Sequence, residues 1–512
     1  MASTKQEKDD SSTRGAAKIV QTVAPSQASA LNEIALQNAV QYRRDTMSPV
    51  MVSGIFRIVE FAILAMSGLI LYLTYVGARP GFAWQYPVLI LLAAGCAVLL
   101  LEMTDNYQMA KLRSPFRSFG MVALSWGGTL TLLTTAGFFL KISEDFSRFW
   151  AGLWFVVGLV LLLSVRLILS RMIRRWARNG RIERRAVIVG GGKTAEELIR
   201  SIEKQPYNDI RICGIFDDRD DRRSPPIVAG YPKLGNISEL LEFARIARID
   251  MLIVTLPLTA EARVLALLKK LWVLPVDIRL SAHSNEMKFR PRSYSYIGSV
   301  PMLDIFDKPI NNWDSVAKRA FDIVFGLAGL ILFSPIMLAT AIAIKLDSKG
   351  PVLFKQKRHG FNNEIIDVYK FRSMYVDQHD PTARRAVTKG DPRVTRVGRF
   401  IRKTSIDELP QFFNVLIGNL SLVGPRPHAM GASSVDRVYH EVVEGYFARH
   451  RVKPGVTGWA QINGWRGEVD RDEKIHRRTE FDLYYIENWS LWFDLKILLL
   501  TPIRILNQEN AY

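Results

Sequence analysis

The chain has 512 residues, 48% of them hydrophobic, a formal charge of +19 and a mean hydropathy of +0.06. That length calls for more than two domains, and that hydropathy is too high for a purely cytosolic enzyme, so soluble domains accompany membrane segments. The charge favours anionic surfaces or substrates; with no zinc-finger spacing and no basic heptad region nucleic acid is not selected, and two cysteines, Cys96 in an apolar run and Cys213 in a predicted strand, exclude a disulfide framework and a cysteine metal site.

Residues 1–50 are rich in Ser, Gln, Ala and charge without sustained apolar periodicity, which predicts a disordered cytoplasmic tail. Four runs follow, at about 58–76, 84–103, 119–140 and 149–169, each near the ~20 residues that cross a bilayer. They predict a four-helix transmembrane domain over 51–170. Lys111, Arg113 and Arg117 lie in the second connection, and Arg171, Arg174, Arg175 and Arg178 begin a basic stretch after the fourth run. The opposite loops hold only Arg79 and, offset by Glu144 and Asp145, Lys141 and Arg148, so the positive-inside rule places both ends of this domain in the cytoplasm. No array of acids or bases marks an ion pathway, and the domain reads as an anchor.

Residues 171–310 alternate predicted strands and helices. The strand ending at Val189 runs into Gly190-Gly-Gly192, and with Ala195 this satisfies G-x-G-x-x-A; Asp217 and Asp218 follow the next strand at the distance of a ribose-binding acid. The pattern predicts a Rossmann-like domain. Gly190 and Gly192 are candidate cofactor-binding positions, or they serve only a tight strand-to-helix turn. No Tyr-x-x-x-Lys pair follows, as a sugar-nucleotide dehydratase or epimerase would need.

From residue 311 onward the chain changes character. The run 321–346 is long enough to span, yet Lys318 and Arg319 precede it and Lys345, Lys349, Lys355, Lys357 and Arg358 close it, so positive flanks hold both ends on one side. Ser334-Pro335 sits at its middle: the proline removes a helix hydrogen bond and the serine hydroxyl can satisfy the freed carbonyl. This predicts a re-entrant helix, with a kinked fifth crossing as the alternative. Downstream, Leu409, Phe412, Phe413 and Leu416 form one apolar stripe capped by Gly418, and Pro410 in the first turn sets the helix start near Asp407, placing Asp407 and Glu408 at its positive end. An aspartate there stays ionised and nucleophilic, and a neighbouring glutamate can hold Mg²⁺ against a diphosphate. Pro425 and Pro427 stiffen the chain around Arg426, whose fork suits phosphate. Lys453 to Gln461 reads as a glycine-punctuated loop, and Trp489, Trp492 and Phe493 beside the apolar 497–500 read as an interfacial helix or a core helix.

The dyad lies in a longer string: Phe354, Gln356, Arg358 and Gly360; Lys370-Phe-Arg-Ser-Met374; Asp391-Pro-Arg393; Arg399; Gly424-Pro-Arg-Pro427; and Lys453-Pro-Gly-Val-Thr-Gly-Trp-Ala-Gln461. This string, from about Lys318 onward, resembles the bacterial sugar transferases, the monotopic phosphoglycosyl transferases that move a hexose 1-phosphate onto a polyprenyl phosphate. The resemblance implies a multidomain membrane protein with a four-helix transmembrane bundle, a Rossmann-like α/β domain without a redox role, and an α/β catalytic domain at 311–512 carrying the re-entrant helix 321–346 broken at Ser334 and Pro335. It further implies that Asp407 attacks a UDP-sugar to give an aspartyl phosphosugar and release UMP, after which the lipid phosphate displaces it. Glu408 would hold Mg²⁺, and Lys370, Arg372, Arg426 and Arg358 are candidate substrate ligands. The expected partners are a UDP-sugar, polyprenyl phosphate and inner-membrane phospholipid, not nucleic acid; a homodimer would fit the larger relatives. A non-catalytic, nucleotide-sensing scaffold for polysaccharide assembly is the alternative.

Overall fold

The computed structural model describes residues 31–43, 47–77, 83–178, 182–204, 209–219, 224–256, 260–281, 294–297, 300–376, 391–428, 433–434, 437–443, 445–465, 467 and 472–506. The chain divides into two compact units: Asp45–Arg184 with Gln205–Arg211, and Met1–Arg44, Arg185–Lys204 and Ile212–Tyr512.

The first unit is built from four long helices, Pro49–Leu71 (continued by a π turn at Tyr72–Val76), Gln85–Met103, Phe119–Phe139 and Arg148–Arg178. Each is long and apolar enough to cross a membrane. Helices suit that setting because they satisfy their own backbone groups. Ile58, Leu91, Leu124 and Val160 point outward and are exposed, while Trp126, Trp150 and Trp154 are buried among the helices. Gly68 makes this packing possible, since a Cβ there would meet the Trp154 ring at 2.7 Å. Inside the unit lies an ion pair that the apolar runs concealed: Arg166 Nε stands 2.6 Å from Glu60, both fully buried, and the Tyr107 hydroxyl donates to Glu60 at 2.7 Å.

In the second unit, β1 (Arg184–Val189), β2 (Ile210–Phe216), β3 (Ile227–Val228), β4 (Tyr231–Gly235), β5 (Met251–Val254), β6 (Asp277–Ser281), β7 (Tyr294–Ile297) and β8 (Val300–Phe306) form one sheet in the order β3-β4-β2-β1-β5-β6-β8-β7. The pairs β1–β5, β5–β6 and β2–β4 are parallel, as the strand–helix alternation predicts. Gly190 and Gly192 take φ of +101° and +96°, which explains the glycines as turn formers.

Residues 33–41 correct the expectation of a disordered tail: Glu33–Gln41 is a helix, its start capped by the Asn32 side chain on Ala35 N–H at 2.8 Å. Asn32 also donates to Leu234 O at 2.6 Å, and Ala35 and Ala39 are buried against the sheet's hydrophobic core. Small residues four apart gave too weak an apolar stripe to announce a docked helix. Residues 1–30 lie outside the described part of the chain.

The same unit continues with the long helix Asn312–Asp347, which contains Pro335. Pro335 deprives Ile331 O of its usual donor, and the Ser334 hydroxyl supplies one at 2.8 Å. Near its start, Lys318 Nζ donates to Val423 O at 2.9 Å and Arg319 to Val415 O at 2.6 Å. Just past its end, Ser348 O accepts from Arg372 at 2.7 Å. The antiparallel pair β9 (Leu353–His359) and β10 (Ile365–Phe371), the helix Gln411–Ile417, and the parallel strands Ser421–Val423 and Gly455–Thr457 pack beside it, with helices Asp472–Glu487 and Leu491–Leu506 behind. The catalytic region touches the sheet domain directly: Asn362 Nδ2 donates to Ala244 O at 2.8 Å.

Candidate active site

The dyad does not begin an α-helix. Ser405, in the left-handed region at φ +59°, launches a 3₁₀ turn over Ile406–Glu408, and the helix proper starts at Gln411 with Pro410 as its N-cap. Gly418 ends it in the left-handed conformation, as expected, but the stripe differs: Phe413 is exposed, whereas Gln411, Asn414 and Val415 are buried. Asn414 bridges to β10, accepting from Tyr369 N at 2.9 Å and donating to Asp367 O at 2.7 Å, so a polar residue locks this helix to the strand. With only seven residues in the helix, charged side chains rather than its dipole set the field at the dyad.

Those side chains come from β10 and from the rigid loop. Lys370 Nζ lies 2.9 Å from Glu408 and 4.0 Å from Asp407. Arg426 grips Glu408 with its fork, Nη1 to Oε2 at 3.1 Å and Nη2 to Oε1. Glu408 is thus clamped by two cations. Asp407 accepts no hydrogen bond among the described residues; burial raises its pKa above the usual aspartate value, with Lys370 lowering it and Glu408 raising it further. Burial likewise lowers Lys370, and burial with neighbouring Arg426 brings Arg358 down to about 10.

Arg358 braces rather than grips. Its guanidinium donates to Gln356 Oε1 at 2.8 Å and to Pro427 O, tying β9 to the Arg426 loop. Arg372 is a correction: it donates to the carbonyls of Lys349 and Ser348, at 2.5 and 2.7 Å, capping the end of the long helix instead of facing the dyad. β10 ends at Phe371, so the alternation that would put residues 370 and 372 on one face stops before Arg372.

Sequence reasoning missed the support behind Arg426. Arg449, fully buried, donates to Arg426 O at 2.9 Å and pairs with Asp482 at 2.5 Å, while its other nitrogen reaches His428 Nδ1 at 2.6 Å. Burial and the surrounding arginines keep His428 neutral, well below its ordinary pKa. The one available signal was the basic run Arg449-His-Arg451 just before Lys453.

An apolar cavity of about 420 Å³ opens beside the dyad, with Glu408 in its wall. The described residues hold no cluster of three or more His, Cys, Asp or Glu side chains suited to a metal. Mg²⁺ is usually held by one or two carboxylates together with substrate phosphates, and of the about four lone-pair sites on Glu408 three accept from Lys370 and Arg426.

The glycine loop fits a nucleotide pyrophosphate poorly. Gly191 N–H already donates to Asp217 at 2.6 Å, and Arg219 clasps the same carboxylate at 2.7 Å. Burial alone would raise Asp217, but these hydrogen bonds hold it at about 2. Asp218 caps the Ile237–Ile246 helix, accepting from Ile237 N at 2.8 Å. Both candidate ribose acids are therefore engaged within the protein.

Residues 313–508 match the model of the bacterial sugar transferase family, and residues 102–282 match a CoA-binding domain model. A UDP-glucose:undecaprenyl-phosphate glucose-1-phosphate transferase of Xanthomonas campestris pv. campestris is 34% identical over 90% of this chain and 94% of its own length. The chain belongs to the bacterial sugar transferase family. An Escherichia coli K12 enzyme of the same name is 36% identical over 84% of this chain and 91% of its own length. A UDP-N-acetylgalactosamine-undecaprenyl-phosphate N-acetylgalactosaminephosphotransferase of Aeromonas hydrophila is 49% identical over 38% of this chain and 44% of its own. The protein is a membrane enzyme with a Rossmann-like domain, a phosphoglycosyl transferase, and the scaffold alternative falls.

Proposed function

We propose that this sugar transferase moves a hexose 1-phosphate from a UDP-sugar to polyprenyl phosphate through a covalent intermediate on Asp407, initiating a surface polysaccharide. The reading is carried by the unequal dyad: Glu408 is clamped by Lys370 and Arg426, whereas the adjacent Asp407 carboxylate has no hydrogen bond among the described residues. A nucleophile needs an uncommitted lone pair, and Asp407 has one. Its Oδ attacks the sugar-proximal phosphorus; the bond from that phosphorus to the bridging oxygen breaks, and UMP leaves with the electron pair. Lys370 and Arg426 stand ready to balance the negative charge that collects on the phosphoryl oxygens. When bound, Mg²⁺, with Glu408 as its protein ligand, would neutralise the diphosphate and the departing UMP. An oxygen of the lipid phosphate then forms the new phosphoanhydride bond, and Asp407 leaves as a carboxylate.

Glucose is the first sugar to test, because relatives covering most of this chain are named for UDP-glucose. Protein, UDP-glucose and Mg²⁺ without lipid should release about one equivalent of UMP per site and gain the mass of a glucose phosphate on Asp407. UMP release only when the lipid acceptor is present would overturn the covalent route. We place the enzyme in the bacterial inner membrane with the sheet and catalytic regions cytoplasmic, and we read Asn312–Asp347 as re-entrant, since its two ends are held by neighbouring parts of one catalytic layer.

A further inference from the structure

We propose that the apolar cavity beside Glu408 receives the phosphate-proximal isoprene units of the lipid acceptor, an inference that rests on the function proposed above. One wall is the long helix, where Phe333 and Ile336 flank Ser334-Pro335; the other is Leu491–Leu506, where Leu498 and Pro502 face in; Phe412 and Leu422 also line it. This lining suits hydrocarbon and offers little to a hexose or a uridine, which need several hydrogen-bonding groups. The polar residues of the wall are Glu408, Thr404, Ser405, Gln461, Arg504 and the pair Thr457 and Thr501, whose hydroxyls are 2.8 Å apart and bonded to each other.

The position of the cavity selects the occupant. It ends at the reacting groups: Glu408 lies in its wall and Asp407 does not, so a chain seated in it would carry its phosphate past Glu408 toward Asp407, Lys370 and Arg426. A membrane phospholipid would bring a headgroup with no role there, whereas a polyprenyl phosphate brings the oxygen that displaces Asp407. About 420 Å³ is far too small for a whole polyprenyl chain, so the remainder lies along the exposed apolar face of the long helix, at Ile331, Leu332 and Leu338.

The test fills the cavity with Ile336→Trp and Leu498→Trp and measures transfer to a long and a two-isoprene polyprenyl phosphate, with lipid-independent UMP release measured alongside. Both variants should raise the KM for the long acceptor at least tenfold and erase its advantage over the short one. Unchanged chain-length preference in both variants would overturn the cavity assignment. A variant that fails to fold leaves the second measurement, on the unsubstituted full-length enzyme: a polyprenyl phosphate with a photoreactive group on its first isoprene should label Phe333, Ile336, Phe412 or Leu498. Labelling elsewhere, or labelling competed as well by ordinary phospholipid as by unlabelled acceptor, would overturn it too. Absence of lipid-independent UMP release from the unsubstituted enzyme would instead refute the covalent mechanism, and the labelling would still decide where the chain binds.

Discussion

Asp407 and Glu408 are sequence neighbours with opposite surroundings, and that difference predicts different outcomes on substitution. Burial raises the Asp407 pKa, so the fold binds its proton more tightly than the unfolded chain does. Stability from this source is therefore present at low pH and is lost as pH rises through the folded pKa. At neutral pH the ionised carboxylate costs stability. Asp407→Asn should lower lipid-independent UMP release by roughly a thousandfold, about 4 kcal/mol of barrier, while raising Tm; a lowered Tm would contradict the electrostatic account. Because only the carboxylate attacks, activity should fall on acidification with a midpoint above the ordinary aspartate value of about 4. His428, buried and neutral, should add no second limb near its usual range. Glu408→Gln would loosen Lys370 and Arg426 together, so its loss should exceed that of a simple metal ligand and be rescued only in part by excess Mg²⁺; full rescue would mean that the clamp is dispensable.

At the level of single elements, the buried Glu60–Arg166 pair joins the first and fourth apolar helices. Removing one partner strands the other charge, so Glu60→Ala should cost about 3 kcal/mol. Adding Arg166→Leu should recover most of that, as read by unfolding in detergent; a double variant no more stable than the single one would show that the pair is not coupled. Long features were legible in the sequence: the four apolar runs, the glycine turn at Gly190 and Gly192, and the Ser334 hydroxyl serving the carbonyl that Pro335 frees all come from unbroken local patterns. What was not legible depends on partners distant in sequence. Asn32 docks its helix through Leu234 O, Arg372 caps a helix end, and Arg449 supports Arg426 from 23 residues away. Asp217 matched the spacing of a ribose acid, yet it fills the glycine loop itself, because periodicity cannot reveal that a carboxylate is already engaged.

For the whole molecule the deciding issue is where the long helix sends its ends. A straight helix of 36 residues would span about 54 Å, well beyond a hydrocarbon core of about 30 Å, and would leave its ends on opposite sides. Here Arg319 at one end binds Val415 O, Asn414 next to it binds Tyr369 on β10, and Arg372, one residue past β10, binds Ser348 O at the other end. These contacts at both ends are what support the proposed re-entrant path over a fifth crossing. In a background lacking Cys96 and Cys213, cysteines at Asp314 and Lys349, both exposed, should be labelled by an impermeant reagent only from the cytoplasmic side. Pro335→Leu restores a donor to the helix ladder and removes the reason for the proposed bend, so a fraction of molecules should then expose position 349 to the outside and lose activity in proportion. Outside labelling of position 349 with Pro335 in place would establish a fifth crossing and would put the dyad on the side where nucleotide sugars are absent.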